Sequence, residues 1–446
     1  MGKGMTVFRS LNRKHVRIRK VDKYMQTSLQ GIANRAKIDA KHKFGNLYSL
    51  LNEENLHWCF MKRLNKKASP GVDKADWHDY AGNIYVNIKE LAQTLKNKAY
   101  KAKLILRKYI PKIGGQRPLG IPVVADKLAQ TCASLILEAI YEQDFKDFSN
   151  GYRRGRGPRN TALELRRRIQ FGRFRWIADI DIKGFFDNIN HDWMIRMLQE
   201  RISDKAFLNL IRKWLEAGIL EEDGKITNPV TGTPQGGSIS AVLANIYLHY
   251  ALDLWFEKRI MSKCRGDVSI MRYADDFVCC FQYRDEANAF YEALKERLSK
   301  FGLSLSEEKC KVIRFTRFIT SENESFVFLG FEFRWGVSRN GKPVVRLKTA
   351  KKKFKLALSS IKSWIKTNRS LKLKELMTAY RQKLQGHWNY YGVCGNSSSM
   401  NTFFWEANKI VFKWLNRRSQ RKSYNWEGFR NMLEHFKIPK PKIIAQ

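Results

Sequence analysis

The 446-residue sequence predicts an α+β fold, and three observations carry that reading. Apolar and polar residues alternate with a period of two over 175–182, and 269–282 reads as a hairpin, with apolar residues on both sides of two adjacent acids. Extended segments fill 310–347. From Thr349 onward the chain turns Lys-rich and helical. Taken in order, 44–66 reads as helix, with Leu47, Leu50, Leu51 and Leu56 spaced for one face. The SPGVD stretch at 69–73 is a turn signal, and 87–99 is helical. Residues 100–124 are extended and interrupted by Gly114, Gly115 and Gly120. Helix returns at 126–144, followed by a Gly/Arg-rich loop at 151–157 and the strand at 175–182. Helices are predicted at 191–218 and at 239–258, where Ile239, Val242, Leu243, Ile246, Tyr247 and Tyr250 mark a face. After the hairpin comes a helix at 286–302, then the extended run with its Arg339-Asn340-Gly341 turn. Helix then continues to about Leu415. The compositional shift near Thr349 is the main domain boundary.

Charge sets the partner class. There are 83 Lys and Arg against 42 Asp and Glu, a net charge of +41. On a chain rich enough in apolar residues to fold, that excess points to a polyanion. The 12 Trp, 17 Tyr and 27 Phe exclude disorder as the global state. Seven cysteines, with no CxxC pair, exclude a disulfide scaffold and read as reduced thiols in a cytosolic protein. The basic N-terminus lacks the apolar run of a signal peptide. The longest uncharged stretch, Ile226–Leu252, is broken by Pro229, Pro234, Gly236 and Gly237, so no membrane partner is expected. Residues 1–43 carry twelve Lys and Arg against Asp22 and Asp39. They read as a nucleic-acid arm in preference to a solvated tail.

Chemistry enters through two acidic clusters. In the strand Arg175–Ile182, Trp176, Ala178, Ile180 and Ile182 share one face, while Asp179 and Asp181 point to the other. Neighbouring acids repel unless a cation lies between them. The plain alternative is the polar face of an edge strand. The second cluster, Asp275-Asp276, sits between two apolar runs, at the tip of the hairpin. By itself an acid pair at a turn is ordinary capping chemistry. Acids from two strands can together bind Mg²⁺, and two such ions clamp the attacking and leaving oxygens of nucleotidyl transfer. An acidic centre in a basic chain fits a nucleic acid polymerase or nuclease.

Three segments in order, DIDIKGFFDNINHD at 179–192, GTPQGGSISAVLANIYL at 232–248 and RYADDF at 272–277, resemble the successive core motifs of reverse transcriptases, most closely those encoded by bacterial group II introns. ASPGVD at 68–73, IPKIGGQRPLGIPVVADKLAQ at 110–130 and FSNGYRRGR at 148–156 resemble the finger motifs. GLSLSEEKC at 302–310 and FVFLGFEF at 326–333 resemble the end of the palm, and LQGHWNYYG at 384–392 the thumb or maturase segment. The likeness spans about residues 45–440. It departs in a finger loop one residue shorter than usual, a longer basic arm and no visible His-Asn-His endonuclease. The resemblance implies a right-hand polymerase: fingers, a palm with an antiparallel sheet, and an α-helical thumb/maturase domain. Its segments would be a basic extension at 1–43, fingers with an N-terminal helical region at 44–170, palm at 171–348 and thumb at 349–446.

The resemblance also implies roles. Asp181, Asp275 and Asp276 would be catalytic, with Asp181, Asp275 and the Ile182 carbonyl holding two Mg²⁺ ions, for which Mn²⁺ can substitute. Asp179 is the weaker acid candidate, with a structural role as its alternative. Lys112 and Arg117 would hold the triphosphate, Gln235 and Gly236 would line the nucleotide pocket, and Lys309 would protonate the leaving group. Phe186 would abut the sugar and exclude a 2′-hydroxyl; the alternative is core packing beside Phe185. Arg153, Arg156, Trp388, Tyr390, Tyr391, Arg417, Arg418, Arg421 and Lys422 would contact nucleic acid. The implied activity is RNA-directed DNA synthesis from a primer 3′-hydroxyl and dNTPs on an RNA or DNA template. With it come binding of structured intron RNA to assist splicing, and mobility into target DNA. The implied setting is the bacterial cytoplasm, with nucleoid association when bound to DNA. Two alternatives stay open: a domesticated enzyme of repair or phage defence, and a factor that chiefly binds RNA for splicing. The sequence leaves the oligomeric state undetermined.

Overall fold

The computed structural model describes residues 25–112, 115–318, 324–418 and 423–445. Most of the basic N-terminal segment, and both Arg421 and Lys422, lie outside the described residues. In chain order the strands are β1 (Ile105–Lys112), β2 (Gly115–Ile121), β3 (Trp176–Asp181), β4 (Ile219–Leu220), β5 (Ile226–Thr227) and β6 (Val268–Tyr273). They continue with β7 (Asp276–Phe281), β8 (Lys311–Arg314), β9 (Phe326–Phe328), β10 (Phe331–Val337) and β11 (Pro343–Thr349). Three sheets result, ordered β2-β1-β4-β5, β6-β7-β3-β8 and β11-β10-β9. Apart from a short parallel β1–β4 contact, all pairings are antiparallel. The C-terminal part is helical, as the α+β reading expects.

Local chemistry explains where the elements depart from expectation. The helix expected over 191–218 is two, His191–Gln199 and Lys205–Leu215. Asp204 opens the second by accepting the Ala206 and Phe207 N–H groups at 3.0 and 3.1 Å, which ends the first helix ahead of it. In the first predicted helix only Glu53–Lys62 is regular; Asn52 caps it at 3.0 Å. The helix Ser240–Leu248 widens into π-type turns at His249–Asp253 and Phe256–Ile260. A further helix, Trp426–His435, lies beyond the expected end near Leu415. It is opened by Asn425, which accepts the Gly428 N–H at 2.7 Å.

The chain forms two compact units. The first comprises Met1–Arg153, Ile182–Ser262 and Glu292–Ser306. Its centre is the helix Val124–Tyr141, buried on nearly every side, with Leu128, Cys132, Ile136 and Ile140 fully enclosed. Asp126 sits inside this core because its carboxylate is fully engaged. It accepts the Tyr100 hydroxyl at 2.5 Å and the Lys103 N–H at 2.9 Å, while Trp214 Nε1 donates to the Tyr100 oxygen at 2.8 Å.

The second unit comprises Arg154–Asp181, Lys263–Tyr291 and Glu307–Gln446. Here β3 is an inner strand, paired to β7 and β8, so the edge-strand alternative fails. Register places Ile177 opposite Cys280 and Ile313, and Val278 opposite Met271 and Asp179. Ile177, Cys280, Val278 and Met271 join a core with Phe326, Phe328, Phe331 and Phe333 of the neighbouring sheet. The helices Lys351–Asn368, Leu373–Tyr391, Ser397–Leu415 and Trp426–His435 share a separate core built on Ile365, Tyr380, Leu384, Trp388, Phe403 and Val411. Trp388 is 1% exposed, and its indole N–H donates to the Pro439 carbonyl at 3.0 Å. It cannot reach a base, which corrects its expected role in nucleic-acid contact. Replacing Trp388 by Ala should destabilise the protein by about 3–5 kcal/mol through the cavity it leaves. Denaturant unfolding of the full chain measures this, and an unchanged midpoint would contradict the packing described.

Candidate active site on the inner strand

The hairpin β6–β7 closes through the two-residue loop Ala274-Asp275. Ala274 takes φ +58° at the first loop position, where such turns ordinarily place glycine. The loop is held from within. Arg272 is fully buried, and its guanidinium donates to the Ala274 carbonyl at 3.0 Å. Asp276 opens β7 directly opposite both Tyr273 and Asp181. Directly opposed residues share a sheet face, so Asp179, Asp181 and Asp276 lie together, with Asp275 on the loop beside them. The same face carries the apolar Ile177, Val278 and Cys280. The acids therefore sit where a buried surface ends.

That placement governs their protonation. Burial, reinforced by the charges of Asp179, Asp275 and Asp181, pushes the Asp276 carboxyl up to about 7. Burial also pushes Asp179 up to about 6, with Asp181 adding to the rise and Lys311 opposing it. Asp181, at the more open end of the strand, is paired at 2.8 Å with the Lys309 ammonium. The β3–β8 ladder stops at Asp179–Lys311. Beyond it, Cys310 Sγ accepts the Asp181 N–H at 3.4 Å and lies 3.6 Å from the Asp181 carbonyl, taking over where the ladder ends.

Asp276 has a further support that the sequence did not disclose. The Leu329 N–H donates to its carboxylate. Leu329 is at φ +50° and Gly330 at φ +78°, so this is a tight left-handed turn between β9 and β10. The Tyr390 hydroxyl donates to the Leu329 carbonyl at 2.9 Å, and the Tyr390 ring lies parallel to Phe331, 5.7 Å away at 7°. A Cβ on Gly330 would sit 3.0 Å from the Tyr391 hydroxyl. Tyr390 and Tyr391, expected to meet nucleic acid, instead pack half-buried against the turn that holds Asp276. An aromatic cluster looks the same in sequence whether it packs or stacks on bases, so no spacing signal joined residue 390 to residue 329.

Among the described residues, no three His, Cys, Asp or Glu side chains surround a metal-sized point. Mg²⁺ does not require such a cage, since it commonly uses one or two carboxylates and takes its other ligands from water and substrate phosphates. The donor set fits that pattern: carboxylates crowded on one sheet face, with Asp276 raised chiefly by burial and further by its neighbours' charges, and Asp181 paired with the Lys309 ammonium.

The remaining predicted residues lie elsewhere in the two units. In the first, Ile182 is buried and bridges to Leu305. Phe186 is 8% exposed and meets Phe185 edge-on, with ring centroids 5.4 Å apart. Lys112 ends β1 opposite Gly115, and Arg117 is exposed opposite Ile110. The Gln235 carbonyl accepts the Gly120 N–H at 2.7 Å, tying its loop to β2. At Gly236, φ is +118°, and a Cβ would lie 2.8 Å from the Gly120 carbonyl oxygen. The close approach that requires glycine there is thus to the protein's own backbone. Arg153 is also internal: its side chain is 3% exposed, pairs with Glu142 at 2.7 Å and donates to the Lys146 and Ser149 carbonyls at 2.7 and 2.6 Å. With its donors so engaged, it is a structural residue, which corrects its expected contact with nucleic acid. Arg156 is half-buried in the second unit. In that unit Arg417 is exposed over the Trp414 ring at 5.5 Å, and Arg418 donates to the Leu371 carbonyl.

A carboxylate cluster of this kind, borne on a sheet in a basic α+β chain, suits an enzyme of phosphoryl or nucleotidyl transfer on nucleic acid, a class that includes the polymerases. Residues 101–333 match the family described as reverse transcriptase (RNA-dependent DNA polymerase), and residues 354–431 match the group II intron, maturase-specific domain. The chain is 30% identical over 460 residues to the group II intron-encoded protein LtrA of Lactococcus lactis subsp. cremoris, spanning 84% of this chain and 75% of LtrA. It is 29% identical to the protein YkfC of Escherichia coli, over 61% of this chain and 78% of YkfC. It is 31% identical to the putative COX1/OXI3 intron 1 protein of Saccharomyces cerevisiae, over 50% of this chain and 26% of that protein. The chain belongs to the group II intron-encoded reverse transcriptases with a maturase-specific domain, and it is an RNA-directed DNA polymerase.

The Leu329 turn gives a direct test of how the acid is held. Tyr390→Phe keeps the stack on Phe331 and removes only the hydroxyl, so it should cost about 1 kcal/mol of stability. Single-turnover nucleotide addition should slow severalfold at unchanged primer–template affinity. A variant with wild-type rate would show that the hydroxyl does not position Asp276.

Proposed function

We propose that Asp181 and Asp275 ligate Mg²⁺, with the Ile182 carbonyl as a further ligand, and that Asp276 completes the catalytic acids while keeping the hairpin on β3. The observation that carries this reading is the register that sets Asp181 opposite Asp276 beside the Asp275 loop. When bound, two divalent ions would favour ionisation of the primer 3′-hydroxyl and neutralise charge on the leaving pyrophosphate, with Mn²⁺ able to substitute. Lys309, paired with Asp181 at 2.8 Å, is proposed to protonate that leaving group. Arg117 and Lys112 of the β1–β2 hairpin are proposed to bind the triphosphate, Gln235 and Gly236 to line the nucleotide pocket, and Phe186 to press on the sugar.

The proposed division is fingers at 44–170, palm at 171–348 and thumb at 349–446, preceded by a basic extension at 1–43. The proposed partners are dNTPs, a primed RNA or DNA template, structured intron RNA whose splicing the protein assists, and target DNA. Support comes from the maturase-specific match at 354–431 and from the exposed Arg417 within it. Arg156, Arg418, Arg421 and Lys422 belong to the same proposal. No helix among the described residues is long and apolar enough to cross a membrane. Action inside a bacterial cell, at the nucleoid when DNA is bound, is proposed on the likeness to LtrA.

Primer extension on an RNA template with Mg²⁺ tests the core. Asp275→Ala should lower extension at least about 100-fold while affinity for structured RNA stays at the wild-type value, since a metal ligand is lost and no phosphate contact is. Extension that survived the substitution would remove Asp275 from the site. Phe186→Ala should raise ribonucleotide incorporation relative to dNTP by about 10- to 200-fold. Unchanged selectivity in single-nucleotide addition would leave Phe186 a core residue only.

A further inference from the structure

Two tryptophans on the C-terminal helices are exposed against the usual tendency of large aromatic rings. Trp405 is 54% exposed and Trp426 is 41% exposed. The Trp426 ring lies nearly parallel to Phe412 at 4.0 Å and 14°, and to Trp405 at 5.8 Å and 16°. Phe412 and Trp405 are two turns apart on the helix Ser397–Leu415, so Trp426, reaching over from the helix Trp426–His435, is held between them. Phe429, which is buried, braces both Phe412 and Trp426 edge-on. The result is a column of three rings that starts at the half-buried Phe412, packed against the helical core, and ends on an indole at the surface.

The surroundings of the outermost ring are polar and basic. Lys409 Nζ lies 5.2 Å from the Trp405 centroid and pairs with Glu406 at 2.9 Å. Lys413 and Arg430 are exposed on the same two helices. One turn before Trp405 stand Asn401 and Thr402, both exposed and short. As polar neighbours one turn away, they can offer hydrogen bonds to the edges of a ring stacked on Trp405. Between Ser397 and His435 the chain carries seven Lys and Arg against three Glu. A second copy of this surface would bring like charges together, whereas a polyanion with flat, unpaired rings would meet both features at once.

We propose that Trp405, backed by Trp426 and Phe412, is a stacking site for an unpaired base of the structured RNA. The proposal rests on the reading above that this chain binds such RNA. The base continues the column of rings, and Lys409, Lys413 and Arg430 attract the flanking phosphates. Every base offers a π-face, so the site selects for unpairing and not for sequence.

The test uses the full chain and two RNA probes of equal length, one a hairpin with a single-stranded loop carrying 2-aminopurine, the other a fully paired duplex. Trp405→Ala should weaken hairpin binding about 5- to 100-fold. It should also abolish quenching of the 2-aminopurine, and leave duplex affinity and primer extension at wild-type values. The salt dependence of hairpin binding should not change, because no phosphate contact is lost. Trp405→Phe should retain most of the affinity. Should Trp405→Ala unfold the helices, Trp405→Leu fills the space without a π-face and is expected to show the same loss. Equal hairpin affinity for wild type and variant overturns the proposal, as does an equal loss on both probes. A wild-type dimer that Trp405→Ala dissociates would make the surface a self-association site and also overturn it. If the wild-type protein itself bound neither probe, the structured-RNA reading would fail first; wild-type binding with an unaffected variant defeats this proposal alone.

Discussion

Asp276 is the residue around which the second unit is organised. A carboxylate at the margin of a buried sheet face, opposite another carboxylate, is a cost that folding must offset. The structure offsets it from three directions. The β3–β7 ladder fixes Asp181 and Asp276 in one register, and Arg272 holds the loop between the acids from below. The Leu329 N–H reaches the Asp276 carboxylate from a turn whose backbone is itself unfavourable for a side chain. The acids are crowded by construction. A divalent cation would relieve the crowding, which is why the chemistry and the architecture of this unit are one problem.

The turn at Leu329 shows how far the support extends. Tyr390 belongs to the last turn of the helix Leu373–Tyr391, yet its hydroxyl meets the backbone that holds Asp276. Tyr391 closes the same turn over Gly330. Asn396, just beyond that helix, accepts the Thr349 N–H at 2.9 Å and so fastens the end of β11. The C-terminal helices thereby reach the acidic hairpin by way of the β9–β10 turn, and helix packing bears on the placement of an acid. The core centred on Trp388 then bears on Asp276 indirectly, by fixing the helix from which Tyr390 projects.

The acidic centre was legible in the sequence because strand alternation is a strict geometric rule. Once 175–182 was read as a strand, Asp179 and Asp181 had to share a face, and two acids between apolar runs had to lie at a hairpin tip. What could not be read was what surrounds them. Trp388, Tyr390 and Tyr391 crowd a short basic segment, and that pattern is common to a base-stacking surface and a helix core. Only burial separates the two, and burial depends on contacts distant in the chain. Arg153 was hidden by the same ambiguity, since its motif of basic residues and glycines describes a phosphate loop as well as a loop pinned by its own guanidinium. Trp405 escaped notice for the converse reason, because nothing in its immediate sequence distinguishes it from the buried Phe403 two residues before it.

These cases qualify what a net charge of +41 means. Part of the arginine content is spent inside the protein. Arg153 and Arg201 are each buried, each salt-bridged to one carboxylate and each hydrogen-bonded to main-chain carbonyls, while Arg272 is enclosed beside the Ala274-Asp275 loop. A planar guanidinium with five donors suits this work, because it can satisfy several carbonyls of an irregular loop at once. Lysine cannot do so with the same geometry. In the second unit Lys351, Lys352, Lys353 and Lys355 open the helix Lys351–Asn368, and all four are on the open surface. The charge presented to solvent therefore lies on the lysines and on exposed arginines such as Arg417. The enclosed arginines hold loops in place, the one between the acids included, so that surface charge and internal support rest on different members of one basic population.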